Sequence, residues 1–234
     1  MLQVLAFSEQ RVGHERETLS HDGRMQLQKF GHSCLLVESA DARVLIDPGT
    51  FSSGFETLDG LSAVLITHQH PDHVDVGRLP SLLERNPSMQ VIADPATAQL
   101  LRDDHGVEAS VATAGAVFDL GVRVEVVGEM HAQIHPDIPR VPNIGYLVDD
   151  RVLHPGDALD VTDREVEILA LPTMAPWMRM ADAVDYLRAV RPRVAVPIHE
   201  ALLRSTDLFY GAFRGLGPDG TTVQVLDDGA PLQL

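Results

Sequence analysis

Residues 65–75 read LITHQHPDHVD and place three histidines and two aspartates directly after an apolar run. The pattern H-x-H-x-D-H within this stretch consists of His68, His70, Asp72 and His73. Pro71 and the two-residue spacing argue against a helix, and in an extended start His68 and His70 point the same way and are able to hold one metal ion. After the turn at Pro71, Asp72 and His73 are able to address a second ion. This nitrogen and oxygen ligand set suits Zn²⁺ and also Mn²⁺ or Fe²⁺.

Other apolar runs, which we interpret as strands, also lead into residues that bind metals or protons. VLID ends in Asp47, VEVVGEM runs into His131, VLHPGD ends in Asp157 and VAVPIH ends in His199. Strand ends feed loops, and loops at one edge of a sheet are where sites are usually built. Together with the motif after VLIT, five runs therefore predict one site assembled from distant parts of the chain.

Composition excludes several classes of protein. The 234 residues are 44% hydrophobic and carry a formal net charge of -16, and a strongly acidic surface disfavours non-specific nucleic-acid binding. Cys34 is the only cysteine, so an intrachain disulfide is excluded. We find neither a secretory signal nor an apolar run of the roughly 18 residues that a membrane span needs. We therefore expect a soluble cytoplasmic protein with a small-molecule substrate, without nucleic-acid or membrane partners, and the sequence allows a homo-oligomer.

The chain is interpreted as one domain over residues 25–234, preceded by an extension over residues 1–24 that has neither a helical nor an alternating period. Residues 25–39 predict strand, turn, strand. Later predicted strands lie in RVLIDPG, AVLITH, QVIADP, VRVEVVG, IGYLVDD, RVLHPGD, VEILALP and RVAVPIH.

Helical patterns interrupt these strands at three places. They cover residues 76–86 with Pro80 as a candidate break, residues 94–106 with Asp94 as cap and Gly106 after the end, and residues 180–192. Residues 213–229 predict a turn-rich closing hairpin. This order fits an α/β or α+β layered domain whose sheets have one face covered by helices.

The motif at residues 68–73 resembles the metal signature of the metallo-β-lactamase-fold hydrolases. The remaining motifs are similar to that family in the expected order over residues 25–200: GHSCLLVE and LIDPG near the start, then HPGD, then PIHE. The resemblance implies a four-layer αββα sandwich. Within the family the chain looks most like the branch that includes ascorbate-6-phosphate lactonases.

The resemblance implies two metal sites. The first metal would be held by His68, His70 and His131, the second by Asp72, His73 and His199, and Asp157 would bridge the two. Asp72 would also be catalytic, because it could orient the attacking hydroxide. Asp47 is more consistent with a role behind the ligands, where it orients a ligand histidine through that histidine's free N–H.

Four further residues have two interpretations each. His131 and His135 are the two candidates for the third ligand of the first metal, and His131 is favoured because it comes directly off its strand. If His131 is the ligand, His135 would either line the pocket or be an exposed loop residue. His154 either forms a hydrogen bond behind the site or simply packs. His32 lies near the site by resemblance or is a structural turn residue. Trp177 either forms a wall of the substrate cleft or packs in the core.

The leading hypothesis is a dinuclear metal-dependent hydrolase of a small ester, lactone or phosphoester, with two divalent ions, most consistent with Zn²⁺, and a metal-bound hydroxide as nucleophile. One alternative is an iron-dependent redox enzyme on the same scaffold, because fold alone does not decide chemistry. The other is a non-catalytic metal-binding protein.

Overall fold

The computed structural model describes residues 25–39, 41–226 and 229–234. The predicted extension over residues 1–24 lies outside the described residues, so the domain boundary at residue 25 stays a prediction. Within the described residues, strands form two mixed sheets of seven strands each.

The first sheet is built mainly from the N-terminal half of the chain. Its strands are β1 (Gln26–Lys29), β2 (Leu35–Glu38), β3 (Arg43–Ile46), β4 (Ala63–Ile66), β5 (Gln90–Ala93), β6 (Ser110–Val111) and β14 (Leu232–Gln233). The spatial order is β14-β1-β2-β3-β4-β5-β6. Pairing is antiparallel from β14 to β3 and parallel from β3 to β6. The predicted hairpin over residues 25–39 is confirmed by the antiparallel pair β1 and β2.

The second sheet is built from the C-terminal half with a similar change of direction. Its strands are β7 (Val117–Asp119), β8 (Arg123–Val127), β9 (Gly145–Val148), β10 (Val152–His154), β11 (Ile168–Pro172), β12 (Val194–Ile198) and β13 (Thr222–Val223). The spatial order is β13-β12-β11-β10-β9-β8-β7. Pairing is antiparallel from β7 to β10 and parallel from β10 to β13. All strands predicted in the second half are confirmed.

Four α-helices lie in the described part of the chain: α1 (Leu79–Arg85), α2 (Pro95–His105), α3 (Met180–Val190) and α4 (Asp207–Leu216). Alternation along the strands sorts the apolar side chains into layers. Val44 and Ile46 pack between the two sheets, whereas Leu45 packs in the cluster that includes Leu79 of α1. Leu169 packs likewise in a cluster with residues of α3 and α4. The predicted αββα sandwich is confirmed.

Helix ends follow the sequence signals at α2. The carboxylate of Asp94 accepts hydrogen bonds from the backbone N–H groups of Ala96 and Thr97, and Gly106 ends the helix at φ 64°. At α1 the prediction was partly wrong, because the helix begins at Leu79 and Pro80 lies in its first turn. A proline there removes an N–H that has no partner within the helix anyway, so it starts a helix instead of breaking one.

The predicted closing hairpin over residues 213–229 was wrong. Residues up to Leu216 belong to α4, β13 pairs with β12 in parallel, and β14 pairs with β1 in the other sheet. Gly211 and Gly215 weaken the helix signal, but Tyr210 and Phe213 bury their rings against the second sheet and compensate for it. Among the described residues, we find no helix whose length and apolarity would let it cross a membrane.

Candidate metal centre

The predicted ligands follow the carboxyl ends of strands in both sheets. Asp47 follows β3 and His68 follows β4 at one edge of the first sheet, and His199 follows β12 in the second sheet. Loops after β8 and β10 bring His131 and Asp157 to the same place. Because neighbouring parallel strands end at one edge, residues separated by more than 100 positions become neighbours.

Two groups of potential ligands result, and within each group the ligand atoms lie within 4.8 Å of one another. The first group contains His68, His70, His131 and Asp157. The second group contains His32, Asp72, His73 and His199. The structure thus brings together all seven residues that were predicted as ligands, and it adds His32.

Asp157 lies between the two groups. Its Oδ2 is 3.3 Å from Nε2 of His131 and 3.3 Å from Nε2 of His199, and its Oδ1 is 3.1 Å from Nε2 of His73. Ligand atoms at about 2.0–2.1 Å from a tetrahedral ion are separated by roughly 3.3 Å. The carboxylate therefore contacts ligand atoms of both groups at separations that fit shared metal coordination.

The imidazoles are held with one nitrogen directed at the centre. In His73, His131 and His199 the Nδ1–H donates to a protein oxygen, which leaves Nε2 as the atom with a free lone pair. The acceptors are Oδ2 of Asp47 for His73 at 2.7 Å, the carbonyl of Ala132 for His131 at 2.6 Å and the carbonyl of Met174 for His199 at 2.7 Å. In the first group, Nε2 of His68 and Nδ1 of His70 lie 3.0 Å apart.

Several of these buried atoms lack a hydrogen-bond partner within the described part of the chain. They are Nε2 of His73, Nε2 of His131, Nε2 of His199 and Oδ1 of Asp157. Leaving four polar atoms buried and unpaired at one place is costly, because each has lost its hydration. Divalent cations would satisfy all four at once, so the residues fit a metal centre.

Asp47 and Thr67 form hydrogen bonds that orient two of the candidate ligand histidines. Oδ1 of Asp47 accepts the Thr67 backbone N–H at 2.8 Å, and Oδ2 accepts the Thr67 hydroxyl at 2.8 Å and His73 Nδ1–H at 2.7 Å. The Thr67 hydroxyl oxygen in turn accepts from Nδ1 of His68 at 3.0 Å. Asp47 was expected to orient one histidine. In the structure its carboxylate orients a histidine of each group, His73 directly and His68 through the Thr67 hydroxyl.

Charge in the centre suits cation binding. Burial alone would raise the pKa of Asp157, but His73, His131 and His199 outweigh burial and hold its pKa well below the usual range. Burial would also raise the pKa of Asp72, but the adjacent His199 and the hydrogen bond from His32 reverse the effect and lower it. Burial lowers the pKa of His68 well below its ordinary value. At neutral pH the two carboxylates are therefore ionised and His68 is neutral, which are the forms that bind a metal.

His199 behaves differently because it faces both carboxylates. Burial works to lower its pKa, but the carboxylates of Asp157 and Asp72, which lie 3.3 Å and 3.5 Å from its Nε2, raise it to about 9. A metal ion must displace that proton, so ion binding at the second group competes with protonation of His199.

His32 is buried and contacts Asp72. Its Nδ1 accepts the backbone N–H of Ala201 at 3.4 Å, so Nε2 carries the proton and donates to Oδ2 of Asp72 at 3.2 Å. Burial lowers the pKa of His32 to about 4, so the ring stays neutral at pH 7. His32 is therefore a hydrogen-bond donor to the Asp72 carboxylate. It lies near the site and also occupies the turn after β1 at φ 46°, so the two expected positions of His32 coincide.

His135 and His154 lie outside both groups. His135 is 60% exposed in its loop, and its Nδ1 accepts the backbone N–H of Asp137 at 3.2 Å. His154 is fully buried, and both of its nitrogens are used: Nε2–H donates to the Ser33 carbonyl at 2.8 Å, and Nδ1 accepts from Gly156 N–H at 3.2 Å. His154 therefore ties the β10 loop to the first hairpin.

Trp177 lies against the first group. Its indole Nε1–H donates to Oδ2 of Asp157 at 2.9 Å, and its ring lies edge to face with His131 at 5.9 Å between ring centres. A small cavity of about 90 Å³ lies beside the same group, between His70 and His131 on one side and Ile138 and Arg140 on the other. Trp177 is half-buried and contacts the candidate ligands, and its role as a wall of a substrate cleft stays a prediction.

Sequence reasoning missed residues that position the ligands. The buried side chain of Asn143 accepts the Asp157 backbone N–H at 2.9 Å and donates to the Pro155 carbonyl at 3.0 Å. Gly49 is also required, because a Cβ there would lie 1.8 Å from the Asp72 carbonyl oxygen. Gly49 lies in the LIDPG motif, which did not indicate its partner, and no sequence signal singled out Asn143.

Two seven-stranded sheets between helix pairs, with paired histidine and aspartate groups at one edge, define the metallo-β-lactamase class of fold. Comparison with solved structures agrees. Igni18, a metallo hydrolase from Ignicoccus hospitalis, matches with a TM-score of 0.70 at 19% identity over 90% of this chain and 98% of that chain. CmlA, a diiron β-hydroxylase from Streptomyces venezuelae, matches with a TM-score of 0.68 at 16% identity over 90% of this chain and 54% of that chain.

Sequence comparison gives the family. The Beta-lactamase superfamily domain matches residues 26–199. Protein Rv0786c of Mycobacterium tuberculosis is 53% identical over 195 residues, covering 80% of this chain and 90% of that protein. A UPF0173 metal-dependent hydrolase of Aeropyrum pernix is 25% identical over 203 residues, covering 74% and 81%. The chain belongs to the beta-lactamase superfamily, and the prediction of a metallo-β-lactamase-fold, metal-dependent hydrolase is confirmed at the level of the family. The lactonase branch stays a prediction.

Proposed function

We propose that the protein is a dinuclear metal-dependent hydrolase that cleaves a small ester, lactone or phosphoester. In this proposal the first ion is held by His68, His70 and His131, the second by Asp72, His73 and His199, and Asp157 is shared by both. His131 is preferred over His135 because its Nε2 is buried and directed at Asp157, whereas His135 is mostly exposed.

One observation carries the proposal. Three imidazole Nε2 atoms and Asp157 Oδ1 are buried together without hydrogen-bond partners among the described residues, while the other nitrogen of each imidazole is engaged. Such tautomers are those of metal-bound histidine. A structural histidine cluster would use both nitrogens, as His154 does.

The nature of the ligands favours zinc. Five imidazole ligands and two carboxylates suit Zn²⁺, and Mn²⁺ or Fe²⁺ accept the same set. The centre has no thiolate ligand. Cys34 is the only cysteine, and it is fully buried in the hydrophobic cluster that contains residues of α1 and α2.

Two bound divalent cations would supply hydroxide at neutral pH and a Lewis acid for the substrate oxygen. The protein holds the parts in position around this chemistry. Asp72 is ionised, partly exposed, and fixed by the His32 Nε2–H, so it is able both to bind and to orient an attacking water through a hydrogen bond. His70 is likewise only half-buried. We infer that the substrate approaches from the side of His70 and Asp72.

Metal content and activity test the proposal. The purified full-length chain is reconstituted with Zn²⁺, Mn²⁺ or Fe²⁺ and assayed on a panel of esters, lactones and phosphoesters. We expect about two ions per chain, activity that disappears on chelation and returns with metal, and loss of both in Asp157→Ala. Asp59→Ala is the matched control, because that carboxylate is 81% exposed. Full activity after complete chelation would refute the mechanism.

The two alternatives predict other outcomes. A redox enzyme on this scaffold, the class to which CmlA belongs, would contain iron after growth without added zinc and would consume oxygen or an electron donor. A non-catalytic binder would hold two ions and hydrolyse nothing on the panel. The complete set of seven potential ligands argues for catalysis over binding alone.

A further inference from the structure

Apolar side chains surround the mouth of the metal centre. Phe51 is 46% exposed, and its ring lies edge to face with the His32 ring at 5.3 Å between ring centres, beside the second group. Ile138 is 45% exposed and lines the small cavity next to His70 and His131. With the half-buried Trp177 over the first group, both halves of the centre are bordered by apolar surface, which a ligand would cover favourably.

Three cationic side chains beside the ligand loops, those of Lys29, Arg78 and Arg140, contact protein oxygens. Lys29 is 3% exposed and forms an ion pair with Glu200, the residue after His199. Glu200 is therefore part of the protein framework here and not a surface charge. The pair anchors the loop that follows β12 and leaves the Lys29 ammonium turned away from solvent.

Two arginines support the apolar rim. Arg78 donates to the carbonyls of Ser52 and Gly49, which flank the loop of Phe51, and its guanidinium also pairs with acidic side chains. Arg140 donates to the His131 carbonyl at 2.6 Å and so holds the loop that carries Ile138. Both guanidinium groups thus fix the position of an apolar residue.

We propose that the substrate is an uncharged ester or lactone with an apolar group next to the scissile carbonyl, and not a phosphoester. This inference rests on the proposed function, since it concerns the same centre. Phosphate recognition normally uses Arg or Lys donors directed at the phosphate oxygens. Here Lys29 and Arg78 are directed at protein oxygens. Arg140 lines the small cavity but donates its Nε–H and Nη2–H to the carbonyls of His131 and Met130. Phe51, Ile138 and Trp177 present aromatic and aliphatic surface beside the candidate ligands.

The reaction consumes one water. Its oxygen forms a new bond to the carbonyl carbon, the acyl C–O bond breaks, and one proton goes to the departing alkoxide to give the alcohol. The acid product loses its own proton to solvent and becomes a carboxylate; from a lactone, both groups remain in one hydroxy acid.

A matched substrate series tests the inference. The zinc-loaded full chain is assayed on 4-nitrophenyl esters with acyl chains of two, four, six and eight carbons, and on 4-nitrophenyl phosphate and bis(4-nitrophenyl) phosphate, which share the leaving group. We expect kcat/KM to rise about tenfold or more from acetyl to octanoyl, because each buried methylene strengthens binding. We expect the two phosphates to be cleaved at least about a hundredfold more slowly than octanoate.

Variants of the rim locate the effect. Phe51→Ser and Ile138→Ser are expected to lower the octanoyl-to-acetyl ratio of kcat/KM several-fold, and both are exposed enough to spare the core. Leu208→Ser is the control, because Leu208 is 71% exposed on α4 and should leave the ratio unchanged. A flat chain-length series, or a preference for either phosphate, overturns the substrate class and leaves the hydrolase proposal standing. Failure of every loaded form on every substrate counts against the hydrolase proposal itself.

Discussion

The indole Nε1–H of Trp177 donates a hydrogen bond to Oδ2 of Asp157 at 2.9 Å. The same oxygen lies 3.3 Å from ligand nitrogens of both groups, so a residue on the loop before α3 controls the atom that the two groups share. The backbone N–H of Asp157 is separately fixed by Asn143. The carboxylate is thus restrained at its backbone and at its side chain before any ion arrives, and a restrained ligand loses less entropy on binding.

Replacing Trp177 with phenylalanine removes the N–H and keeps an aromatic ring. We expect zinc affinity to fall by about 10–100-fold, the range for groups that orient a ligand. Competition with a chromophoric chelator measures this directly. In the wild type, Trp177 is the only tryptophan, so its fluorescence should change during a zinc titration and saturate with site occupancy.

Tyr186→Phe serves as the control for Trp177→Phe, because it also removes one aromatic donor while keeping the ring. The Tyr186 hydroxyl donates to the Asp160 carbonyl at 3.2 Å. Its loss should leave zinc affinity unchanged. Equal zinc affinity in Trp177→Phe and the wild type would show that the indole does not position Asp157.

Sequence signals predicted the features that are local in the chain. Strand candidates, the Asp94 cap and the ligand-type residues at strand ends each depend on a few adjacent residues. The strands and the cap agree with the structure, which also brings the candidate ligands together. Contacts between residues that are distant in the sequence could not be predicted. The Met174 carbonyl contacts His199 from 25 positions away, and Asn143 contacts Asp157 from 14, with no spacing rule that links them. The helix α4 was missed because tertiary burial outweighed its glycines.

Gly156, in the loop that carries Asp157, is a strict requirement of the fold. Its φ is +62°, and a Cβ would lie 2.3 Å from Oδ1 of Asn143 and 2.7 Å from Cβ of Thr67. We expect Gly156→Ala to lower the free energy of unfolding by about 2–4 kcal/mol and to weaken metal binding, since Asn143 must shift. Denaturant titration of the metal-free protein measures the first effect.

Gly211 offers the opposite case for the same substitution. It lies within α4, and a Cβ there meets no heavy atom within 4 Å. Gly211→Ala should raise the free energy of unfolding by about 0.5–1 kcal/mol through the lost chain entropy of glycine. If both alanine variants shifted stability in the same direction, the steric account of Gly156 would be wrong.

Asp94 should make stability depend on pH with a definite sign. Burial raises its pKa above the ordinary 3.8, despite hydrogen bonds from Thr97 and Ala96, so the folded state holds the proton more tightly than the unfolded state. Its contribution is then complete below pH 3.8 and is lost as pH rises through the folded-state pKa. Asp94→Asn keeps the cap without the charge and should raise Tm at pH 7, with the gain vanishing toward pH 3.

Asp182 at the start of α3 has the reverse sign. Arg179 lowers the pKa of Asp182, so this carboxylate stabilises the fold above its ordinary pKa and loses that contribution as pH falls. Asp182→Asn should therefore lower Tm at pH 7 and have little effect in acid. Parallel pH series of Tm for the two asparagine variants should diverge at neutral pH; parallel curves would refute the assignment.

His131 and His135 provide the sharpest test of the site, because they lie four residues apart in one loop and differ in every relevant property. His131 is 1% exposed and directs Nε2 at Asp157, whereas the His135 side chain is 60% exposed. His131→Ala should reduce bound zinc from about two ions to about one per chain and lower kcat/KM by a hundredfold or more. His135→Ala should retain both ions, and its kcat/KM should stay within about twofold of the wild type, because an exposed side chain away from both groups contributes little. Plasma emission spectrometry of the dialysed proteins gives the stoichiometry independently of any substrate. Loss of one ion in His135→Ala, with two retained in His131→Ala, would reassign the third ligand of the first metal and move the predicted substrate side toward the exposed loop.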